Sequence, residues 1–296
     1  MKRLRLLTGI LLIGLLLLLS VRTGTEALEL RDGEILIDDQ GKEINVTDVE
    51  TVISLNPAIT EALYMIGQFD NLVGVATSAR SANWPEEVDE LNNVGTIRNI
   101  NIEKIVDIDP DLILGAAMSE AGLNKAEELG YRTAFVSPDN IDDILNNMLI
   151  YGEILGDLET AEIEVKRLET KIEEAIEKSP GDDERKTAAI FSTVEPPKVF
   201  GRGSVADQVA TFAGLENAFP HDNDSSLTIS FEDILVEDPD YIILVMAGRE
   251  DIETNSNWQE LTAVKEGNII EPATEHILRL GPRVIEGITI LNEKVY

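Results

Sequence analysis

The apolar positions of this chain change period from segment to segment, and the changes mark its elements. "GEILIDDQGKEINV", residues 33–46, alternates apolar and polar positions on either side of Asp39-Gln40-Gly41, the pattern of a β-hairpin. "TVISLNPAITEALYMIG" opens as a strand and continues at helical spacing. Asn56 suits an N-cap, Pro57 the first helical position and Gly67 the helix end. "NLVGVAT" and "TAFVS" are short apolar runs that suit buried strands. Strand and helix signals alternate through both halves, which predicts an α/β fold with mainly parallel sheets.

One phrase occurs twice. "NIEKIVDIDPDLIL" runs from Asn101 to Leu114 and "SFEDILVEDPDYII" from Ser230 to Ile243. Aligned without gaps they share Glu103/Glu232, Ile105/Ile234, Asp109/Asp238, Pro110/Pro239, Asp111/Asp240 and Ile113/Ile242. Each copy reads as a short helix, an Asp-Pro-Asp turn and a strand. Copies this far apart do not make a solenoid; they fit two α/β lobes of similar plan. Between the lobes, residues 141–180 carry helical spacing with a break expected at Gly156-Asp157. From Leu158 to Lys178 the segment carries apolar residues at helical spacing, Val165, Leu168, Ile172 and Ile176, with no Pro or Gly. A helix of that length spans about 30 Å, the width of a small domain, and has no kink site. The expected organisation is an N-terminal lobe over 28–140, a linking helix within 141–180 and a C-terminal lobe over 181–296. In open α/β sheets ligands bind beyond the carboxyl ends of the strands, so two facing lobes make a cleft.

Residues 1–27 stand apart. Lys2, Arg3 and Arg5 precede an apolar core, Leu6–Val21, and a polar stretch ending in Thr25-Glu26-Ala27. This is the shape of a secretory signal peptide cleaved after Ala27, with an uncleaved anchor as the alternative. The protein is therefore expected outside the cytoplasm, in the periplasm or at the cell surface. The sequence has no cysteine, which excludes disulfides, a thiolate nucleophile, cysteine-ligated metal and a lipid anchor on cysteine. Its 24 Lys and Arg stand against 56 Asp and Glu, a net charge of -32, which repels nucleic acid and anionic lipid and suits a solvated, salt-tolerant surface.

In so acidic a chain, arginines gathered at a cleft would form a local positive well. Arg80, Arg98, Arg202, Arg249 and Arg279 all fall in expected loops, and guanidinium groups bind carboxylates and catecholates with paired hydrogen bonds. Each equally suits an ion pair with a nearby acid. Asn56 and Ser204 open expected helices, where capping is the common role and anion attraction the rarer one. Trp84 and Phe200 are the aromatic candidates for a cleft, whereas Trp258 reads as a packing residue. His221 and His276 are the only histidines, too few for a bare-metal site, so no metal ligands are assigned; His276 could line the cleft. "GRGSVAD" has neither the G-x-S-x-G elbow nor a phosphate-binding loop, and no enzyme machinery is legible.

The ordered set "SLNPAITEALYMIG", "VGTIRNINIEKIVDIDPDLIL", the long linking helix, "FGRGSVADQVATFAGLENAF", "SFEDILVEDPDYIIL" and "LRLGPRVIEGI" resembles the helical-backbone class of ABC-transporter substrate-binding proteins. Members of that class capture ferric siderophores, cobalamin or haem outside the cell. The resemblance covers about residue 35 to the end. It implies two Rossmann-like lobes joined by one long α-helix, a modest hinge motion, no catalysis and no resident cofactor. The ligand-binding candidates are Asn56, Arg80, Trp84, Arg98, Phe200, Arg202, Arg249, His276 and Arg279, and the resemblance puts Arg202 and Arg249 foremost, since the matching segments of siderophore-binding relatives bring arginines to the ligand. The ligand it favours is a chelated ferric ion, a ferric siderophore. Cobalamin is the alternative within the class, set back because Ile97 stands where cobalamin binders carry tryptophan. A secreted α/β hydrolase and a membrane-tethered sensor are the rivals from other classes. The resemblance also implies that Glu103 and Glu232 dock on arginines of two permease subunits. Helix-dipole stabilisation by a first-turn carboxylate, about 0.3–1 kcal/mol, is the plainer role for both. The protein is expected to act as a monomer, meeting the membrane only through the permease or an uncleaved N-terminal segment.

Overall fold

Asp38 and Gly41 turn the chain between β2 (Ile35–Ile37) and β3 (Glu43–Asn45), which with β1 (Glu29–Arg31) form a three-stranded antiparallel sheet. The expected hairpin is therefore present. Asp38 Oδ1 accepts from the amides of Gln40 and Lys42, and its Oδ2 accepts from the Phe135 amide at 3.0 Å, pinning the hairpin to the first lobe. The computed structural model describes residues 27–78, 85–181, 184–221 and 226–296. The apolar segment Leu6–Val21 and the expected ligand residues Arg80 and Trp84 lie outside the described residues.

The first lobe continues with β4 (Val52–Ser54), α1 (Pro57–Met65), β5 (Leu72–Thr77), β6 (Asn92–Thr96) and β7 (Asn99–Ile100), followed by α2 (Ile102–Ile108), β8 (Leu112–Gly115), α3 (Glu120–Glu128) and β9 (Thr133–Phe135). Its sheet has the order β7-β6-β5-β4-β8-β9, parallel except for the β6–β7 pair. α4 (Ile141–Ile154) and α5 (Leu158–Lys178) follow. The second lobe comprises β10 (Lys186–Val194), β11 (Pro197–Phe200), α6 (Val205–Phe212), β12 (Leu215–Asn217), β13 (Ser226–Thr228) and α7 (Phe231–Glu237). It ends with β14 (Tyr241–Leu244), α8 (Arg249–Glu253), α9 (Thr262–Glu266), β15 (Ile269–Ile270) and α10 (Val284–Val295). Its sheet runs β13-β11-β10-β14-β15 with β12 also paired to β10. β14, β15 and β12 are parallel to the strands they pair, whereas β11 returns antiparallel to β10.

Both sheets are buried on both faces, and successive side chains sort to opposite sides. Val52, Leu112, Leu114, Ala188, Ile190 and Ile243 belong to one continuous core shared by the two lobes through α4, α5 and α10. Their neighbours Ile53 and Ile113 face a smaller core under α2 and α3. Ala189, Phe191, Ile242 and Leu244 face another, where Trp258 packs edge-on against Phe191 and Phe231. Trp258 is thus a packing residue, as its sequence context suggested.

Segment 141–180 is two helices, not one. Gly156 takes φ +80°, a left-handed conformation that suits glycine, at the expected break. α4 folds back along α5 closely enough that a Cβ on Gly152 would clash with Ala161 Cβ. α5 buries Ala161, Val165, Leu168, Ile172 and Ala175. Ile176, expected on that face, is exposed: the stripe passes from Ile172 to Ala175, one residue round the helix. α5 packs on α4 from one side and on α10 and α6 from the other. Buried Asn292 of α10 donates to the carbonyls of Ala175 and Ala213, tying the end of α5 to the second lobe.

The repeated phrase has a structural role in each half. Asn101 and Ser230 cap α2 and α7, accepting from the Lys104 and Asp233 amides, and Asp109 and Asp238 end those helices at φ 53° and 37°. Asp111 Oδ2 accepts from the Thr51 amide at 2.9 Å and the Thr51 hydroxyl at 2.8 Å. Asp240 Oδ2 accepts from the Thr187 amide at 3.0 Å and hydroxyl at 3.2 Å. In both halves the threonine hydroxyl also accepts the aspartate's own amide, at 3.0 Å. The second aspartate of each Asp-Pro-Asp therefore locks its strand to the start of the neighbouring one.

Candidate ligand-binding cleft

Five strands of the first sheet end at one rim: β4, β5, β6, β8 and β9. The residues beyond them line a cavity of about 890 Å³ between the lobes: Asn56 and Pro57, Ser78, Ile97 and Arg98, Ala116 to Met118, and Val136 to Pro138. α4 contributes Ile144, Asn147 and Tyr151. The second lobe supplies Met246 after β14, Thr274 and Glu275 after β15, and the loop Leu278–Pro282 before α10. That volume is near the upper end of small-molecule sites, about 300–1,000 Å³. The wall is mainly Ala, Ile, Leu, Met and Pro with scattered amides and hydroxyls.

Of the sequence-selected residues, Asn56, Arg98 and Arg279 come together at this cavity. Asn56 is also the N-cap of α1, its Oδ1 accepting from the Ala58 amide at 2.9 Å. Arg98 is exposed, and its Nη2 lies 3.7 Å from Met118 Sδ. Phe200, Arg202, Arg249 and His276 are not among the residues lining the cavity. The strand directions account for the first two. Val199 and Leu244 both lie beside Phe191, and β11 then runs back toward the amino ends of β10 and β14, carrying Phe200–Arg202 away from the rim. Phe200 packs against the shared core. Ser204, at the head of α6, acts as an ordinary cap for the Asp207 amide. Arg249 is held at α8 by the Ile269 carbonyl at 2.7 Å and by Glu271 at 3.5 Å. His276 Nε2 lies 3.1 Å from Glu286 and 2.9 Å from Arg283 Nη2. Its hydrogen bond, then burial opposing it, and then Arg283 leave Glu286 below the usual carboxylate range.

Three side chains in or behind the cleft wall escaped the sequence reading. Glu61 of α1 is fully buried and forms an ion pair with Arg279 of the other lobe. Burial pushes its carboxyl up to about 7, against the pull of Arg279 and Arg283. Asn147 is buried, and its Oδ1 has no hydrogen-bond partner among the described residues. Tyr151 is buried, and its hydroxyl is pushed well above the usual phenol value by burial and then by the charge of Asp39. Asp39 itself is raised to about 6 by burial, opposed by the hydrogen bond from the Ser137 amide. Signals for these existed. Glu61 is the single acid in a helix apolar on nearly every side, and Asn147 shares the helical face of Ile144 and Tyr151.

Residues 52–273 match the family model described as "Periplasmic binding protein", and the chain belongs to that family. It is 26% identical over 274 residues to an uncharacterized ABC transporter substrate-binding lipoprotein of Bacillus subtilis, YvrC, covering 88% of this chain and 85% of that protein. It is 25% identical over 252 residues to a vitamin B12-binding protein of Vibrio vulnificus, covering 83% and 89%. Among solved structures, the periplasmic vitamin B12 binding protein BtuF of Vibrio cholerae superposes with a TM-score of 0.68 at 22% identity, covering 83% of this chain and 96% of that one. The apo periplasmic haem-binding protein RhuT of Roseiflexus superposes at 0.70 and 22%, covering 84% and 98%. The two-lobed architecture is that of the helical-backbone class. As a member of the family the chain is an extracytoplasmic solute-binding protein of ABC-transporter type, not an enzyme.

Proposed function

We propose that this chain delivers a large metal chelate of low net charge to an ABC permease, a corrinoid such as cobalamin in the first place. The observation that carries the proposal is the charge of the cleft wall. Among the described residues Arg98 is exposed there, but the charge of Arg279 is met by Glu61, Glu275 adds a carboxylate, and Arg202 and Arg249 stand elsewhere. A polyanionic chelate needs several guanidinium groups converging on it. A chelate with amide side arms needs apolar area with scattered donors and acceptors, which is what the wall offers. The relatives named vitamin B12-binding proteins support the same reading. Ile97 adds apolar area without a stacking face, so a neutral ferric tris-hydroxamate siderophore is the second ligand of the same chemistry. Calorimetric titration with cyanocobalamin, a ferric tris-hydroxamate, haem and a triply anionic ferric tris-catecholate tests the proposal. One of the low-charge chelates is expected to bind most tightly; preference for the tris-catecholate would contradict it.

The permease-facing surface is assigned to α2 and α7. Glu103 and Glu232 are exposed at the second residue of these helices, and exposed Val106 and Leu235 follow one turn on. Two equivalent acidic patches, one on each lobe, suit a receptor with two equivalent basic sites.

A further inference from the structure

Arg279 belongs to the second lobe and lines the cleft, yet its guanidinium is turned onto Glu61 of the first lobe. The carboxyl is fully buried and the Arg279 side chain is 13% exposed, so the pair closes the cleft wall from behind. Arg283 Nη1 lies 3.7 Å from Glu61 and 3.6 Å from Glu275, and its Nε is 3.3 Å from Glu286. With His276 beside Glu286, the cluster sets three carboxyl groups against two guanidinium groups and one imidazole. The backbones meet at the same place: a Cβ on Gly281 would stand 2.8 Å from Ala58 Cβ. Burying a carboxylate is costly unless cations offset it, and removing one partner strands the other. An anion that recruits Arg279 therefore draws it away from Glu61 and leaves that buried carboxylate with the more distant Arg283, at 3.7 Å.

We propose that Glu61 sets the charge selectivity of the cleft: by holding Arg279 across the lobe boundary it withholds that guanidinium from anionic chelates and leaves the cleft selective for chelates of low charge. Glu61 acts through Arg279 without touching ligand and is a positioning residue. The inference rests on the proposed function only for the identity of the low-charge ligand.

Glu61→Gln keeps the shape of the side chain and removes its charge. The comparison is made near pH 8, above the raised value of about 7, so that wild-type Glu61 is ionised. Affinities for cyanocobalamin and for a ferric tris-catecholate are measured on wild type and variant. The tris-catecholate should gain at least about tenfold, as one charged hydrogen bond becomes available. Cyanocobalamin should change by less than about threefold, because a neutral chelate gains little from a freed charge. Adding Arg279→Gln to Glu61→Gln should erase the gain. Glu61→Met, which fills similar space without a polar group, should reproduce it if the Gln variant does not fold. Parallel losses for both ligands, no change for either, or a gain that survives without Arg279 would overturn the proposal. Failure of wild type to bind cyanocobalamin would instead strike the corrinoid reading, and the tris-catecholate gain would still report on Glu61.

Discussion

In the first lobe Asp111 receives the Thr51 amide and hydroxyl; in the second, Asp240 receives the same pair from Thr187. The two halves are built alike on this side, down to the left-handed aspartates and the exposed glutamates that precede them. At the cleft they differ. Among the described residues the first sheet delivers five parallel strand ends to the cavity, while in the second only β14 and β15 do so, because β10 turns back into β11. The shared parts hold strands together and can be repeated wherever the same strand pairing recurs. The rims would meet the ligand, and a corrinoid of the proposed kind has no twofold symmetry for them to match.

The largest expected effect concerns the joint between the halves. An unfolded glutamate titrates near 4.5 and folded Glu61 near 7, so the folded protein holds an extra proton between those values. The stability this gives is fully present below about pH 4.5 and is lost as pH rises through 7. Wild-type stability relative to Glu61→Gln should fall by on the order of 3 kcal/mol from about pH 4.5 to about pH 8 in urea titrations. The two clamps should behave oppositely. Asp111 and Asp240 are held below the usual carboxylate range: burial opposes ionisation, and the hydrogen bonds from Thr51 or Thr187 and the nearby Arg132 or Lys186 outweigh it. Their stabilisation is present above the ordinary carboxylate value and lost as pH falls.

Asp111→Ala and Asp240→Ala should each destabilise by about 1–2 kcal/mol, since both carboxylates are partly exposed and screened. Equal losses would support the shared role; a loss in one half alone would break the comparison. Single changes at Glu103 and Glu232 should lower uptake to similar extents, and the double change by roughly tenfold, about 1.4 kcal/mol, with ligand binding intact. Normal uptake with slightly earlier melting would leave both as helix-dipole residues. The smallest effect is expected at Arg202→Ala and Arg249→Ala, which should shift ligand affinity by less than about 0.5 kcal/mol in calorimetry.

What the sequence made legible follows the same division. Caps, breaks and the repeated phrase were readable because they depend on local chemistry: Asn56, Gly156, Ser204 and the Asp-Pro-Asp turns stand where their residue types suggest. The cleft was readable as a location, at strand ends, but not as a set of side chains. Which arginines reach it depends on whether a strand runs parallel or returns, and β11 decides that for Arg202. Whether the charge of Arg279 is already met by a carboxylate depends on a residue 218 positions away, Glu61. No periodicity encodes such a pairing.

Hydrogen exchange with and without cyanocobalamin tests the asymmetric cleft most directly. Protection is expected at residues 97–98, 116–118 and 136–138 of the first lobe and at 278–282 of the second, the segments that line the cavity. Protection centred instead on residues 200–203 and 249–253 would contradict the account.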